Sequence, residues 1–477
     1  MPTGETMDFV TSLLDIIHGA FKISNTILWG LPMIVLLVGT HIYMTIRTKG
    51  IQRKIISAIK FSISKDEKGH GDVSQFGALS TALAATIGTG NIIGVGTAIT
   101  LGGPGAIFWM WIVGIFGMAT KYAESLIAVK YRVVSKEGLM QGGAMYALDK
   151  GLNMKWLGVL FAIFASLAAF GIGCSVQSNA VATTLEANFS IPVWVSSLVI
   201  GLAMVLIIFG GVKSIAKVCE KLVPFMAFAY IICCILILIL LHAYILDALK
   251  LIMVSAFDLR AAGGGALGAG MLAAMRYGVA RGLFSNESGM GSGPIIAASA
   301  KTINPARQSL VSMSATFWDT VVVCLLTGLM LVASTIAHPE LFPLTADGMI
   351  AVDGGRLTSI AFGAIPYVGT PILTISLTLF AFTTILGWSY YGERAFEYLV
   401  GYEYVKFYRV AYTIMAMVGA LVGLGLIWDI ADTLNALMVI PNLVAVIGLA
   451  KVISDDTDHY VYQNHLDEYY VGDKIEQ

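Results

Sequence analysis

"LAATIGTGNIIGVGTAI", Leu83 to Ile99, is the stretch on which the fold turns. Two architectures use such a glycine-rich run: the phosphate loop of a dinucleotide-binding fold, and a membrane helix whose backbone is interrupted. The dinucleotide fingerprint is GxGxxG after a strand, with an acid about 20 residues on. Here Gly88, Gly90 and Gly94 give GxGxxxG, one residue too long, and no acid stands between Asp72 and Glu124. The flanks are apolar and of helical length. The stretch therefore reads as a helix broken over Gly88–Asn91. Each glycine lowers helix propensity by about 1 kcal/mol, and Asn91 competes for backbone hydrogen bonds. At bilayer depth, freed carbonyls and amides are tolerated only where they line a cavity or bind something. Gly90 and Gly94 also form GxxxG, and Gly94 and Gly96 are available for close helix packing.

The composition agrees with a membrane setting. The chain has 477 residues, 57% hydrophobic and 12% charged, with a mean hydropathy of +0.81. A soluble chain carries about 25% charged residues, so a water-facing surface could not be covered. Long apolar runs without strand-length alternation predict an all-α polytopic membrane protein. The five cysteines lack CxxC spacing and read as small buried hydrophobes. No lysine or arginine precedes residue 16, so no signal peptide is expected.

At roughly 20 apolar residues per span, eleven segments qualify: 26–46, 75–101, 105–130, 156–184, 192–210, 214–242, 264–300, 308–336, 365–391, 406–427 and 430–451. An amphipathic interfacial helix is predicted ahead of them, over Met7–Lys22. Lysine and arginine concentrate on one side: the Arg47–Lys68 loop, the region from Lys121 to Lys155, and Lys213, Lys217, Lys301 and Arg394. The bias predicts an N-terminus outside and a C-terminus inside the plasma membrane. The polar, acidic end after Lys451 is expected to be a loose cytoplasmic tail.

The seventh segment strengthens the case for broken helices. Gly263–Ala300 is 38 residues, about 57 Å as one straight helix against a hydrocarbon core of about 30 Å. Its middle, "MRYGVARGLFSNESGMGSGP" (Met275–Pro294), offers Gly278, Gly282, Gly289, Gly291, Gly293 and Pro294 as break points. Segments two and seven stand five helices apart and run in opposite directions, as in transporters built from inverted five-helix repeats. The expected organisation is residues 1–71 (interfacial helix, additional first span, basic loop), 72–246 (first five-helix repeat), 247–452 (outer loop and second repeat) and 453–477 (tail).

The first break offers carbonyls, amides, Thr86, Thr89 and Asn91, but no charge. Carbonyls ending one half-helix suit a hard monovalent cation, and amides starting the next suit a carboxylate. A small zwitterion plus one sodium ion fits that inventory. In "FAFTTILGWSYYGE" (Phe380–Glu393), the adjacent hydroxyls of Thr383 and Thr384 suit sodium, and Trp388, one turn on, could cap a small pocket. In "AAFGIGCSVQSNA" (Ala168–Ala180), Phe170 and the glycines after it could wall the substrate, with Gln177 hydrogen-bonding nearby. Arg281 and Glu287 read as a structural or gating pair near the inner mouth. Glu124, Asp319 and Asp432 read as structural charges of the bundle.

"GGPGAIFWMWIVGIFG" (Gly102–Gly117), "RGLFSNESGMGS" (Arg281–Ser292) and the opening stretch resemble the sodium:alanine/glycine symporter family, over roughly Asp72–Lys451. The resemblance implies sodium-driven uptake of alanine or glycine on a leucine-transporter-like fold with an extra first helix and two discontinuous helices. It implies a sodium site pairing carbonyls near Ala85 and Gly88 with Thr383 and Thr384. It places substrate against Ile87, Gly88, Thr89, Gly90, Asn91, Phe170, Gln177, Gly270, Met271, Thr384 and Trp388. Cys174 departs from the family pattern, where a polar amide is usual after Gly-Ile-Gly.

The expectation is a sodium-coupled symporter working by alternating access. Sodium is its co-transported ion and alanine or glycine its cargo; lipid surrounds it, and neither organic cofactor nor nucleic acid is involved. A proton-coupled transporter of the same fold is the alternative. A cation channel is disfavoured because nothing resembles a filter or a ring of like charges. A membrane enzyme is disfavoured because HExxH, a serine–histidine set and paired acids within one span are all missing from the sequence.

Overall fold

The computed structural model describes residues 18–64, 69–257, 270–344, 350–421 and 425–470. Of the interfacial helix expected over Met7–Lys22, the part up to residue 17 lies outside the described residues. Helix α1 (His18–Leu28) turns by 42° into α2 (Leu31–Arg47), with Pro32 in the first turn, where no intrahelical bond is lost. α3 (Ile55–Ile63) leads to α4 (Gln75–Thr86) and α5 (Gly90–Gly102), a pair bent by 51°. α6 (Ala106–Lys130) is followed by an antiparallel ribbon of β1 (Val133–Val134) and β2 (Met140–Gln141), with Val133 opposite Gln141. Then come α7 (Lys155–Phe189), α8 (Val193–Ile208), α9 (Gly211–Leu240) and α10 (Ile245–Ala256). The second half holds α11 (Met271–Asn286), α12 (Gly293–Ala297), α13 (Pro305–Ala337), α14 (Gly354–Phe362), α15 (Gly369–Val400), α16 (Val405–Leu421), α17 (Gly425–Gly448) and α18 (Ala450–Thr457).

Helix starts follow local chemistry. Ser74 Oγ accepts from Gly77 N at 2.8 Å to cap α4, and Asn304 Oδ1 accepts from Arg307 N at 2.9 Å to cap α13. Such caps contribute about 1 kcal/mol each. Close packing comes from small residues. A Cβ on Gly278 of α11 would stand 3.0 Å from Trp109 Cβ of α6, and a Cβ on Gly96 of α5 would stand 2.9 Å from Gly354 Cα of α14. Gly94, by contrast, has nothing nearer than Thr89 O at 3.9 Å. Of the two glycines expected to serve packing, only Gly96 makes a close approach.

The partition of polarity is that of a protein in lipid. α9 exposes Phe225, Phe228, Ile232, Leu236 and Ile239, whereas Ser285, Asn286, Asp319, Thr320 and Thr384 are buried. Exposed apolar bands around a polar interior fit hydrocarbon as the surrounding medium. Among the described residues six helices are long and apolar enough to cross a membrane, or eight if each bent pair is one span. The spans expected at 192–210 and 406–427 are the shorter α8 and α16. Length and composition therefore do not by themselves fix the count at eleven.

Both expected interruptions are present, the first at Ile87–Thr89 rather than over Gly88–Asn91. α4 ends at Thr86, Ile87 is extended (φ −77°, ψ 92°), and the chain resumes as a π turn over Gly90–Gly94. α11 ends at Asn286. Glu287 (φ 55°), Gly289 (φ 87°) and Gly291 (φ 79°) turn the chain in left-handed conformations before α12. The second break is thus at Glu287–Ser292, late in the expected 264–300 segment, whose start at 264–269 lies outside the described residues. Two further helices that the sequence suggested to be continuous carry π segments: α7 at Gly171–Ser175 and α13 at Phe317–Cys324. π-bulges recur at functional sites because they free backbone groups and rotate side chains.

The part of the tail up to residue 470 is not loose. α18 and a helical turn at Asp458–Tyr462 pack back on the body. Lys130 Nζ meets Asp456 Oδ2 at 2.6 Å, Lys49 Nζ meets Asp458 Oδ1 at 2.7 Å, and Asn304 Nδ2 donates to the carbonyls of Leu466 and Glu468. The acidic residues that suggested a solvated tail instead answer the basic loops.

Candidate functional site

The two breaks, the α7 π turn and the middle of α15 line a cavity of about 10 Å³, closed down to about the room of one water. Ala85, Gly88 and Gly90 come from the first break, Gln177 from α7, and Thr384 and Trp388 from α15. These six belong to the predicted set. Thr89 is buried beside them, with its amide 3.4 Å from Gln177 Oε1. Its hydroxyl has no hydrogen-bond partner among the described residues. Gln177 Nε2 donates to Ile172 O, a carbonyl in the π turn, at 3.1 Å.

At the first break Thr384 Oγ1 lies 3.0 Å from Ala84 O and 3.0 Å from Phe380 O. One hydroxyl proton serves one acceptor at a time, so three oxygens converge where α4 has lost its continuing turn. An ideal Cβ on Gly88 would stand only 2.5 Å from Thr384 Oγ1. The absence of a side chain there is what lets α15 reach the break. A carbonyl at a half-helix end beside a hydroxyl is the donor set that suits sodium.

Several predicted residues sit elsewhere. Thr383 turns away: its hydroxyl meets Phe380 O at 3.0 Å and Met226 Sδ at 3.6 Å on α9, because adjacent helical residues point about 100° apart. The carbonyl at Thr384 is that of Ala84, not Ala85. Ile87 faces an apolar groove against Val223 and Ala227 of α9. Phe170 packs its ring on Tyr408 and Tyr412, at 5.0 and 5.6 Å, and the π turn presents Ile172 to the cavity instead. Gly270 and Met271 lie at the start of α11, about 24 Å along the helix from the break. Asn91 serves the break itself: its Oδ1 accepts from Gly88 N at 2.9 Å, and its Nδ2 donates to Asp319 Oδ1 at 2.7 Å.

Arg281 and Glu287 do not pair. Six residues along a helix point about 240° apart, which sends them to different faces. Arg281 lines a separate basin of about 370 Å³ with Lys22, Arg276, Asp429 and Asp432, on the side of the molecule where α2 begins. Phe284 lines both the basin and the central cavity and stands between them. Glu287 instead lines the cavity, where Oε1 accepts from Trp388 Nε1 at 2.8 Å and Oε2 from Ser292 Oγ at 2.5 Å.

A second tier of buried charge holds the break at Glu287–Ser292. Lys121, read as part of a basic loop, is 3% exposed. It pairs with Glu124 at 3.2 Å and donates to Glu287 O at 3.0 Å. Glu124 Oε2 accepts from the amides of Gly289 and Gly291 and from Asn442 Nδ2 at 2.9 Å. The Lys121-x-x-Glu124 spacing within a long apolar helix was the available sign that Lys121 belongs inside.

The chain matches the profile of the "Sodium:alanine symporter family" over residues 14–472. It is 50% identical over 452 residues to an uncharacterized transporter of Haemophilus influenzae, covering 93% of this chain and 97% of the relative. It is 48% identical over 458 residues to the sodium/alanine symporter AgcS of Methanococcus maripaludis, with 94% and 97% covered. A Bacillus subtilis relative, 37% identical over 451 residues with 92% and 90% covered, is named a probable sodium/glutamine symporter, GlnT. Among solved structures the fold is similar to that of MhsT in complex with L-phenylalanine, at TM-score 0.53 and 13% identity over 81% of this chain and 98% of that one. A Na+-coupled sialic acid symporter gives TM-score 0.52 at 13% identity, with 82% of each chain covered. A nearly all-helical multi-pass membrane chain with this fold and these relatives is a secondary transporter rather than an enzyme, and it belongs to the sodium:alanine symporter family.

Proposed function

We propose that this protein couples inward movement of sodium to uptake of one small neutral amino acid, alanine or glycine, by alternating access. The observation that carries the reading is the convergence of Thr384 Oγ1 with Ala84 O and Phe380 O at the interrupted end of α4. A sodium ion there would bridge the first repeat and α15, so its binding energy favours one arrangement of the halves. Gly90, in the first turn of α5, lines the same cavity, and the positive end of that helix dipole suits the substrate carboxylate. The cavity is tightly closed, with Trp388 and Phe284 among its walls, which favours a small substrate side chain. The 48% identical relative from Methanococcus maripaludis is named for sodium and alanine, which supports the same cargo here.

On this reading the N-terminus and the Arg281 basin face outside. Sodium enters with its gradient and the membrane potential, worth about 2.3 kcal/mol per charge per 100 mV. The test is radiolabelled alanine uptake into proteoliposomes under an inward sodium gradient. Uptake that stops when choline or potassium replaces sodium is the expected result. Equal uptake in choline, driven by a pH gradient, would transfer the reading to proton coupling.

A further inference from the structure

We propose that the side-chain carboxylate of Glu287 is the anchor for the ammonium group of the transported amino acid, held ready by Trp388 and Ser292. This rests on the transport reading above and assigns one end of its substrate.

Among the described residues, Glu287 is the single ionisable side chain on the cavity wall. It is 2% exposed, and the cavity is the open space it faces. A carboxylate offers about four acceptor positions. Two are taken, by Trp388 Nε1 and Ser292 Oγ, both neutral donors. Among the described residues no lysine, arginine or histidine forms an ion pair with it: Lys121 pairs with Glu124 and reaches the main-chain oxygen of Glu287. A buried carboxylate that no ion pair answers is costly at this depth, and the cavity it lines can present it with a cation.

The positioning is deliberate in the backbone. Glu287 adopts φ 55°, a conformation uncommon for a non-glycine residue, at the point where α11 stops. The turn that follows is pinned from α6 by Lys121 and Glu124 and from α17 by Asn442. Two helices, α6 and α17, therefore hold this turn against the cavity. The first break supplies the positive end of the α5 dipole for the opposite end of a zwitterion. The two breaks then have complementary duties: one meets sodium and carboxylate, the other meets ammonium. A carboxylate anchor also rejects isosteres. L-Lactate, with a hydroxyl for the ammonium, leaves the buried charge unanswered, and sites of this kind discriminate by large factors.

The experiment is competition for radiolabelled alanine on the purified full chain in saturating sodium, with alanine, L-lactate, ethylammonium and propionate as competitors. On the unaltered protein, alanine must outcompete lactate by at least a hundredfold. Glu287→Gln, which keeps the shape and removes the charge, must weaken alanine at least tenfold (about 1.4 kcal/mol) and narrow the alanine-to-lactate ratio at least tenfold. Glu287→Asp, which keeps the charge, must preserve most of that ratio. Alanine affinity within twofold of the parent in Glu287→Gln, with the ratio intact, overturns the assignment while leaving sodium-coupled transport standing. If neither variant folds, the fragments decide on the unaltered chain. Ethylammonium must compete better than propionate, and the reverse order overturns the proposal. If the unaltered chain binds no alanine in sodium, the transport reading fails, and this assignment with it.

Discussion

Asn91 Nδ2 lies 2.7 Å from Asp319 Oδ1, so the residue that steadies the first break is itself held by a buried acid on α13. The same carboxylate accepts from Ser285 Oγ at 2.9 Å, one residue before α11 ends, and from Thr320 Oγ1 at 2.6 Å. One side chain thereby ties both interrupted helices to the π segment at Phe317–Cys324. Asp319→Asn replaces an acceptor with a group that is half donor, so at least one of those donors is stranded. Each stranded buried group costs about 1–3 kcal/mol. The expected outcome is a lower unfolding temperature in detergent and at least a tenfold drop in alanine uptake; an unchanged melting curve with full uptake would refute this role.

Lys121→Met removes the one positive charge that answers Glu124 inside the bundle. Breaking a buried pair from one side costs about 3–5 kcal/mol. The variant is expected to be poorly stable, and adding Glu124→Gln should recover part of the loss. A double-mutant cycle of thermal unfolding measures that coupling. Additive losses would show that the pair does not act as a unit.

The two glycines of the opening motif should respond in opposite ways. Gly88→Ala pushes a methyl group to 2.5 Å from Thr384 Oγ1 and 3.4 Å from Gln177 Oε1, displacing the converging oxygens. Gly94→Ala meets only Thr89 O at 3.9 Å. Uptake assays should find Gly88→Ala below a tenth of the parent rate and Gly94→Ala within twofold of it. Equal tolerance at both positions would contradict the placement of the break.

Backbone interruption was legible in the sequence because it is a local property. Gly88–Asn91 loses helix propensity by composition, and a 38-residue run cannot cross a bilayer straight. What lay beyond reach depends on partners far apart in the chain. Asn91 and Asp319 are 228 residues apart, and Trp388 and Glu287 are 101. Charge alone suggested that Arg281 and Glu287 attract, but helix phase sends them to different cavities. The π turn at Gly171–Ser175 left no sign in the hydrophobic pattern, and it is what turns Phe170 outward and Ile172 inward. Thr383 and Thr384 are chemically identical; only the rotation of α15 decides which one meets the break.

That rotation gives the most direct test of the central claim, that an interrupted backbone and the Thr384 hydroxyl together hold sodium. The measurement is alanine binding as a function of sodium concentration, made on the unaltered chain, Thr384→Ala and Thr383→Ala. Loss of the Thr384 hydroxyl should raise the half-saturating sodium concentration at least tenfold, while Thr383→Ala stays within about threefold of the parent. A sodium dependence that Thr384→Ala leaves unmoved, or one that Thr383→Ala shifts more, would contradict the account.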